Sequence, residues 1–195
     1  MITSLKQEKI KDLVILALRW YLIFYMTSYG WGKLTMSQFT IYDPSILDQP
    51  IKNIDSFYVA WHLFSKSTFF NISSGLLELV GAVLLVFNRT CLIGALLVLS
   101  ILAQIFIIDL AFTTGIHGYS LPIRIGGMIF SDLLIIYYYR EKVIEAWVTL
   151  TRRVTTKFEY KWWVFIILPV VGFLMDFVFA ILTLPIKALL KLFGL

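Results

Sequence analysis

The stretch Gly75-Leu-Leu-Glu-Leu-Val-Gly-Ala-Val-Leu-Leu-Val-Phe-Asn-Arg-Thr-Cys-Leu-Ile-Gly-Ala-Leu-Leu97 decides the fold. Its apolar character continues on both sides, from Phe69 to Phe87 and from Cys91 to Phe112. At ~1.5 Å rise per residue each segment is long enough to cross a hydrocarbon core about 30 Å thick. Only Asn88-Arg89-Thr90 separates them, and so short a break returns the second segment antiparallel beside the first. The stretch predicts a helical hairpin in a membrane.

Working outward, an apolar run from Asp12 to Trp31 precedes the hairpin, and another from Leu121 to Tyr139 follows it after the turn Thr113–Ser120. The first run could pass for a signal peptide, but Arg19 in its middle and the lack of a small-residue cleavage site predict a retained span. Beyond it, Val143, Trp147, Leu150, Val154 and Phe158 recur at helical spacing opposite charged and polar residues, which predicts a helix lying on the inner membrane surface through Phe158. Trp162 to Leu184, with Pro169 and Asp176 inside, reads as a fifth span, with a re-entrant hairpin as the alternative. Lys187 and Lys191 then share one face of a short interfacial tail. The expected fold class is all-α: an antiparallel four-helix transmembrane bundle over residues 1–140, then an extension over 141–195 with the surface helix, the fifth span and the tail.

Composition supports the membrane reading, because 59% hydrophobic and 15% charged residues in a 195-residue chain exceed what a soluble core can hide. The net charge of +5 arises from cations flanking apolar runs, where orientation and anionic lipid account for it better than nucleic acid does. Cys91 is the single cysteine, so the chain forms no internal disulfide and has no self-contained dithiol chemistry. Lys6, Lys9, Lys11, Arg89, Arg140, Lys142, Arg152, Arg153, Lys157 and Lys161 all flank one side of the four runs, which predicts a cytoplasmic N-terminus, as in a bacterial inner membrane. The segment from Gly32 to Thr68 then caps the outer side, with Phe57–Phe64 at the interface.

Charges inside spans each cost at least ~2.5 to 3.5 kcal/mol at the bilayer centre and need partners or water. Counted by helical rise, Arg19, Glu78 and Asp132 fall in the middle or inner half and are expected to meet as one cluster. Two readings stay open for it, a buried ion pair that fixes packing and a proton or polar-ligand site. Asp109 and Arg124, on two arms of one hairpin at matching depth, are expected to form a structural ion pair. Asn71, Ser74 and Glu78 share a helix face that should look into the bundle, and Gly75 and Gly81 should allow close helix approach. His62 and His117 read as loop residues, and no metal site is expected. No phosphate-binding glycine loop, nucleophile elbow or zinc-protease helix is present.

Tyr29-Gly-Trp-Gly-Lys33 with Gln38-Phe39, then the Gly75-x-x-Glu78 segment, the Arg89-Thr90 turn and Gly94-Ala-Leu-Leu97, resemble the DoxX-like membrane proteins over about residues 13–140. The resemblance implies a four-helix bundle with both ends cytoplasmic and marks Tyr29, Lys33, Gln38, Glu78, Arg89 and Thr90 as matching positions without assigning them roles. The chain departs from that pattern at Asp109 and in the insertion-like Thr113–Ser120. Related proteins include a small subunit of thiosulfate:quinone oxidoreductase and others with assembly or cargo roles, and fold analogy does not choose among them.

Two functions are therefore expected. The first is a non-catalytic accessory or assembly subunit of a membrane complex linked to redox metabolism, bound to a membrane-protein partner or a second copy of itself. The alternative is a quinone- or small-ligand-binding subunit of an oxidoreductase, with quinone as the cofactor and Arg19, Tyr29, Lys33, Glu78 and Asp132 as binding residues. A transporter ranks below both, since no inverted repeat is evident.

Overall fold

Long apolar segments free of internal breaks fold as helices because the backbone in lipid must satisfy its own hydrogen bonds. The computed structural model describes residues 2–113, 115, 118–152, 154 and 156–192, and gives only the backbone for 2–4, 176 and 186–192. Its long helices are α1 (Ile2–Leu34), α3 (Thr68–Val86), α4 (Cys91–Phe112), α5 (Ser120–Tyr138) and α7 (Trp162–Leu192). Two shorter ones are α2 (Ser56–Lys66), in the expected aromatic segment, and α6 (Arg140–Thr151). Stretches within all five long helices are long and apolar enough to cross a membrane.

The chain divides into two units, Met1–Thr149 and Leu150–Leu195. In the first, α1 packs on α3, α3 on α4, α4 on α5 and α5 back on α1, closing an antiparallel ring of four. This is an all-α membrane protein with the expected bundle. One end of the ring carries α2 and the connections 35–67 and 113–119, and is called here the cap end. The other carries the Asn88–Thr90 turn and the start of α1, and is called the Arg89 end.

The ring inverts the pattern of a soluble bundle. Glu78, Asp132, Asn71, Arg19, Lys33 and Asp109 are buried, while Leu13, Phe24, Leu77, Val83, Ile93, Ile107, Ile123 and Phe130 face outward. Water would not tolerate that apolar belt, whereas lipid matches it. The protein is an integral membrane protein with several spans.

Close approach is set by glycine. A Cβ on Gly30 would lie 2.8 Å from the Gly75 carbonyl oxygen, and one on Gly75 would lie 2.9 Å from that of Gly30. α1 and α3 therefore meet backbone to backbone at this crossing, the arrangement that small residues permit in membranes. Where α3 meets α4, a Cβ on Gly81 would come within 2.8 Å of Val98 Cγ2, so this glycine leaves room for the Val98 side chain.

Two expectations about the extension change. α6 stops at Thr151, short of Val154 and Phe158. The β-branched Val148, Thr149, Thr151, Val154 and Thr156 lose side-chain freedom in a helix and favour an end there. Trp162–Leu192 is one continuous helix through Pro169 and Pro185, so the re-entrant hairpin is not formed and the expected tail begins as a continuation of α7. The side chains of Asp176, Lys187 and Lys191, like all of His117 and Arg153, lie outside the described residues.

Candidate functional site

Lys33 occupies the last turn of α1, where a cation complements the carbonyl end of the helix dipole. Because Gly75 has no side chain, the Lys33 Cβ lies against it and the amino group reaches along α3 to Glu78, with which it forms a hydrogen-bonded ion pair. Both side chains are almost wholly buried, at 5% and 1% exposure. A pair so desolvated rarely stabilises a fold more than apolar residues of the same volume would. Its presence calls for a reason other than stability.

A cavity of about 100 Å³ opens beside Lys33, lined at its polar side by Tyr29, Gln38, Asp109 and Arg124. A second space of about 80 Å³ shares Lys33, Phe70, Ile105 and Ile108 with it and reaches Glu78, Ser74 and Gln104. Three oxygen atoms here are buried without a hydrogen-bond partner: Tyr29 Oη, Gln38 Oε1 and Glu78 Oε2. Buried polar atoms are nearly always paired, so three orphans around these two spaces, which share Lys33, mark a candidate site.

The roof comes from the chain reversal after α1. Met36 adopts a positive φ of 56°, and the Ser37 and Gln38 N–H groups donate to the Gly32 carbonyl at 2.9 and 3.1 Å. A side chain with a Cβ is strained in that region, and the turn it permits folds Gln38 and Phe39 back over the bundle. The Phe39 ring meets those of Trp61 and Phe64 from α2 at 5.5 and 5.3 Å, and Phe64 stacks on Phe70 at 5.0 Å. Asp55 starts α2 by accepting the Phe57 N–H at 2.8 Å, and Asn71 Nδ2 binds it to α3 by donating to the Phe64 carbonyl at 2.8 Å. The lid is aromatic and anchored at both ends.

The expected charge groupings rearrange. Arg19 does not join Glu78 and Asp132. Its Nε and Nη2 donate to the Leu85 carbonyl at 3.1 and 2.6 Å, Nη2 to that of Val86 at 3.0 Å, and Nη1 to Asn88 Oδ1 at 2.7 Å. The reason is register. Arg19 stands eleven residues before Gly30 and so faces Val86, eleven after Gly75, which puts it roughly 12 Å along the axis from Glu78. Asp132 is wholly buried on α5, with neither carboxylate oxygen hydrogen-bonded.

Asp109 and Arg124 are not an ion pair either. The ion pairs among the described residues are Lys33–Glu78 and the exposed Lys11–Glu8. Asp109 and Arg124 instead line the same cavity, with the Arg124 guanidinium 5.8 Å from the centre of the Tyr29 ring. Of the expected binding residues, the structure gathers Tyr29, Lys33 and Glu78 and leaves out Arg19 and Asp132. The aromatic lid was not among them, although the run Phe57–Phe64 carried the signal. Thr90 and Arg89 serve the opposite end: Thr90 Oγ1 donates to the Leu84 carbonyl at 2.8 Å, and Arg89 is exposed. His62 faces a separate surface recess with Met36, Pro44 and Lys66. No group of three potential metal ligands occurs among the described residues.

A ring of four antiparallel membrane helices with a charged, aromatic-roofed chamber at one end defines the class of protein. Residues 14–109, about half of the chain, match the family described as DoxX, and this part of the chain is similar to the DoxX-like membrane proteins. A relative in Bacillus subtilis (strain 168), the uncharacterized protein YwoB, is 31% identical over 102 residues, which is 52% of this chain and 64% of that protein. The match thus spans less than two thirds of the relative's length. No solved structure matches. Of the six positions drawn from the family resemblance, Tyr29, Lys33, Gln38 and Glu78 border the two spaces around Lys33, and Arg89 and Thr90 lie at the other end of the bundle.

Proposed function

We propose that this protein binds a compact, neutral, lipid-soluble ring compound bearing carbonyl oxygens, the quinone class, in the chamber beside Lys33. The observation that carries the reading is the unpartnered Tyr29 Oη, a hydroxyl that can donate to a carbonyl oxygen, set beside an aromatic wall. The formal charges of Lys33, Arg124, Asp109 and Glu78 cancel, which favours a neutral dipolar ligand over an ion. Spaces of about 100 and 80 Å³ are smaller than the roughly 300 to 1,000 Å³ of drug-sized pockets, which selects a single ring or short head group. Lys33, Tyr29 and Arg124 supply donors for carbonyl oxygens, and Phe39, Phe64 and Phe70 supply the flat apolar contact.

The test is titration of the purified full-length protein in mild detergent with a short-tailed benzoquinone, followed by quenching of Trp61 fluorescence. Saturable quenching that disappears in Trp61→Phe, and an affinity at least about tenfold weaker in Lys33→Met, are the expected results. Unsaturable quenching, or equal affinity in Lys33→Met, refutes the proposal.

A second reading is an accessory subunit of a redox-linked membrane complex, with the Lys-rich end cytoplasmic. It draws on the Leu150–Leu195 unit, whose long helix presents exposed apolar side chains such as Phe165, Val170, Phe173 and Phe179 on every side. Purification in mild detergent tests it: a stoichiometric partner should accompany the full chain and be lost on removal of residues 150–195, and an isolated chain overturns it.

A further inference from the structure

The seam between α1 and α5 opens at the Arg89 end into a groove of about 630 Å³, some six times the cap-end cavity. Val14, Ile15, Leu18 and Leu134 line its depth, and Glu8, Lys11, Tyr137, Tyr138 and Arg140 stand at its mouth. We propose that this groove holds one anionic phospholipid, with its phosphate between Lys11 and Arg140 and one acyl chain laid along Val14, Leu18 and Leu134.

Three observations lead there. The groove is amphipathic along its length in the sense of a phospholipid: the charges sit at the membrane-surface end of two spans, and the interior is aliphatic. Arg140 is held in place, its guanidinium 4.7 Å from the centre of the Tyr137 ring and its Nη1 donating to the Tyr137 carbonyl at 3.4 Å. A planar cation fixed over an aromatic face is well suited to a phosphate. Among the described residues Lys11 pairs with Glu8, at 3.0 Å and about two-thirds exposed on each side. Such a surface pair is worth at most about 1 kcal/mol, so a phosphate can displace the carboxylate.

The charge balance favours an anionic head group over a zwitterionic one. A neighbouring recess of about 270 Å³ shares Ile15 with the groove and adds Lys142, Asp12 and Arg19. Arg19 is already bound by carbonyls and Asn88, so the remaining charges lining the two openings are Lys11, Arg140 and Lys142 against Glu8 and Asp12. At the mouth of the groove Tyr138 Oη donates to Asp12 Oδ1 at 3.4 Å, so that carboxylate is already engaged by a neutral donor. Basic pockets between spans at the membrane surface recognise anionic head groups in this way.

Native mass spectrometry of the full chain in mild detergent, with phosphatidylglycerol, phosphatidylcholine or inorganic phosphate added, tests the proposal. One retained phosphatidylglycerol per chain is expected, with little phosphatidylcholine and no retained inorganic phosphate. Lys11→Gln and Arg140→Gln should each reduce the preference for phosphatidylglycerol about fivefold, and Leu134→Trp, which fills the groove, should release the lipid while leaving the mouth charges in place. Arg89→Gln, at the exposed turn away from the groove, should retain it as the unaltered chain does. Equal retention of the two lipids, unchanged retention in Leu134→Trp, or a loss in Arg89→Gln as large as in Arg140→Gln would each show a diffuse lipid annulus and overturn it.

Discussion

Arg19 and Lys33 lie on the same helix and are equally buried, at 4% exposure, yet their surroundings differ in kind. Arg19 spends its donors on two carbonyls and an amide at the end of α3, where a helix leaves its last carbonyls without intrahelical partners. In lipid no water reaches those groups, and together with Thr90 on the Leu84 carbonyl the guanidinium closes the helix end. Lys33 meets one carboxylate oxygen, between two spaces around which the second oxygen of Glu78 and those of Tyr29 and Gln38 lack partners. The comparison separates a charge used to finish a backbone from a charge kept with capacity to spare. Only the second kind marks a candidate binding site.

The comparison can be broken by substitution, and the largest effect is expected at the Lys33–Glu78 pair. Lys33→Met alone should leave Glu78 buried and unpaired and cost about 3 to 5 kcal/mol in detergent unfolding. Lys33→Met with Glu78→Leu should recover most of that stability and still bind no benzoquinone. A double variant as unstable as the single one would mean that the pair is structural. Arg19→Met should cost about 3 kcal/mol, because several charge-assisted hydrogen bonds to carbonyls are lost together, yet leave ligand affinity unchanged once the protein is folded.

Gly75→Ala should cost about 1 to 3 kcal/mol, since the new Cβ would press on the Gly30 carbonyl and shift α1 against α3. Because Lys33 hangs from that crossing, its ligand affinity should fall as well, whereas the phospholipid retention at the α1–α5 groove should hold. The smallest change is expected at Asp132. Asp132→Asn exchanges a carboxyl group with no hydrogen bonds to lose for an amide of the same shape, and should alter the unfolding midpoint by the equivalent of less than about 1 kcal/mol. A large loss there would reveal a partner for Asp132 and join it to the polar framework of the bundle.

The spans were readable because their signal is compositional: eighteen or more apolar residues in a row mean a helix in lipid whatever surrounds them. The inward face of α3 was readable too, since Asn71 and Glu78 repeat at helical spacing and both are buried. The partnerships of the charges were not. Counting rise from each span's start put Arg19 level with Glu78, but α1 begins at Ile2 and the Gly30–Gly75 crossing sets its register. The Asp109–Arg124 pairing failed for a different reason: equal depth on neighbouring helices does not fix rotation about each axis, and both side chains turn toward the cavity that Lys33 enters.

The sequence by itself determined that this chain is helical, where its bundle spans start and end to within a residue or two in three of four cases, and which polar residues face inward. Those properties follow from local periodicity and from the cost of exposing a peptide group to hydrocarbon. Tertiary structure alone decided which charge meets which, that Gln38 and Phe39 fold back beneath α2, and that a chamber remains between them. Contacts among helices depend on crossing points and rotations, and here two glycines and a residue with positive φ set those over distances no sequence window covers.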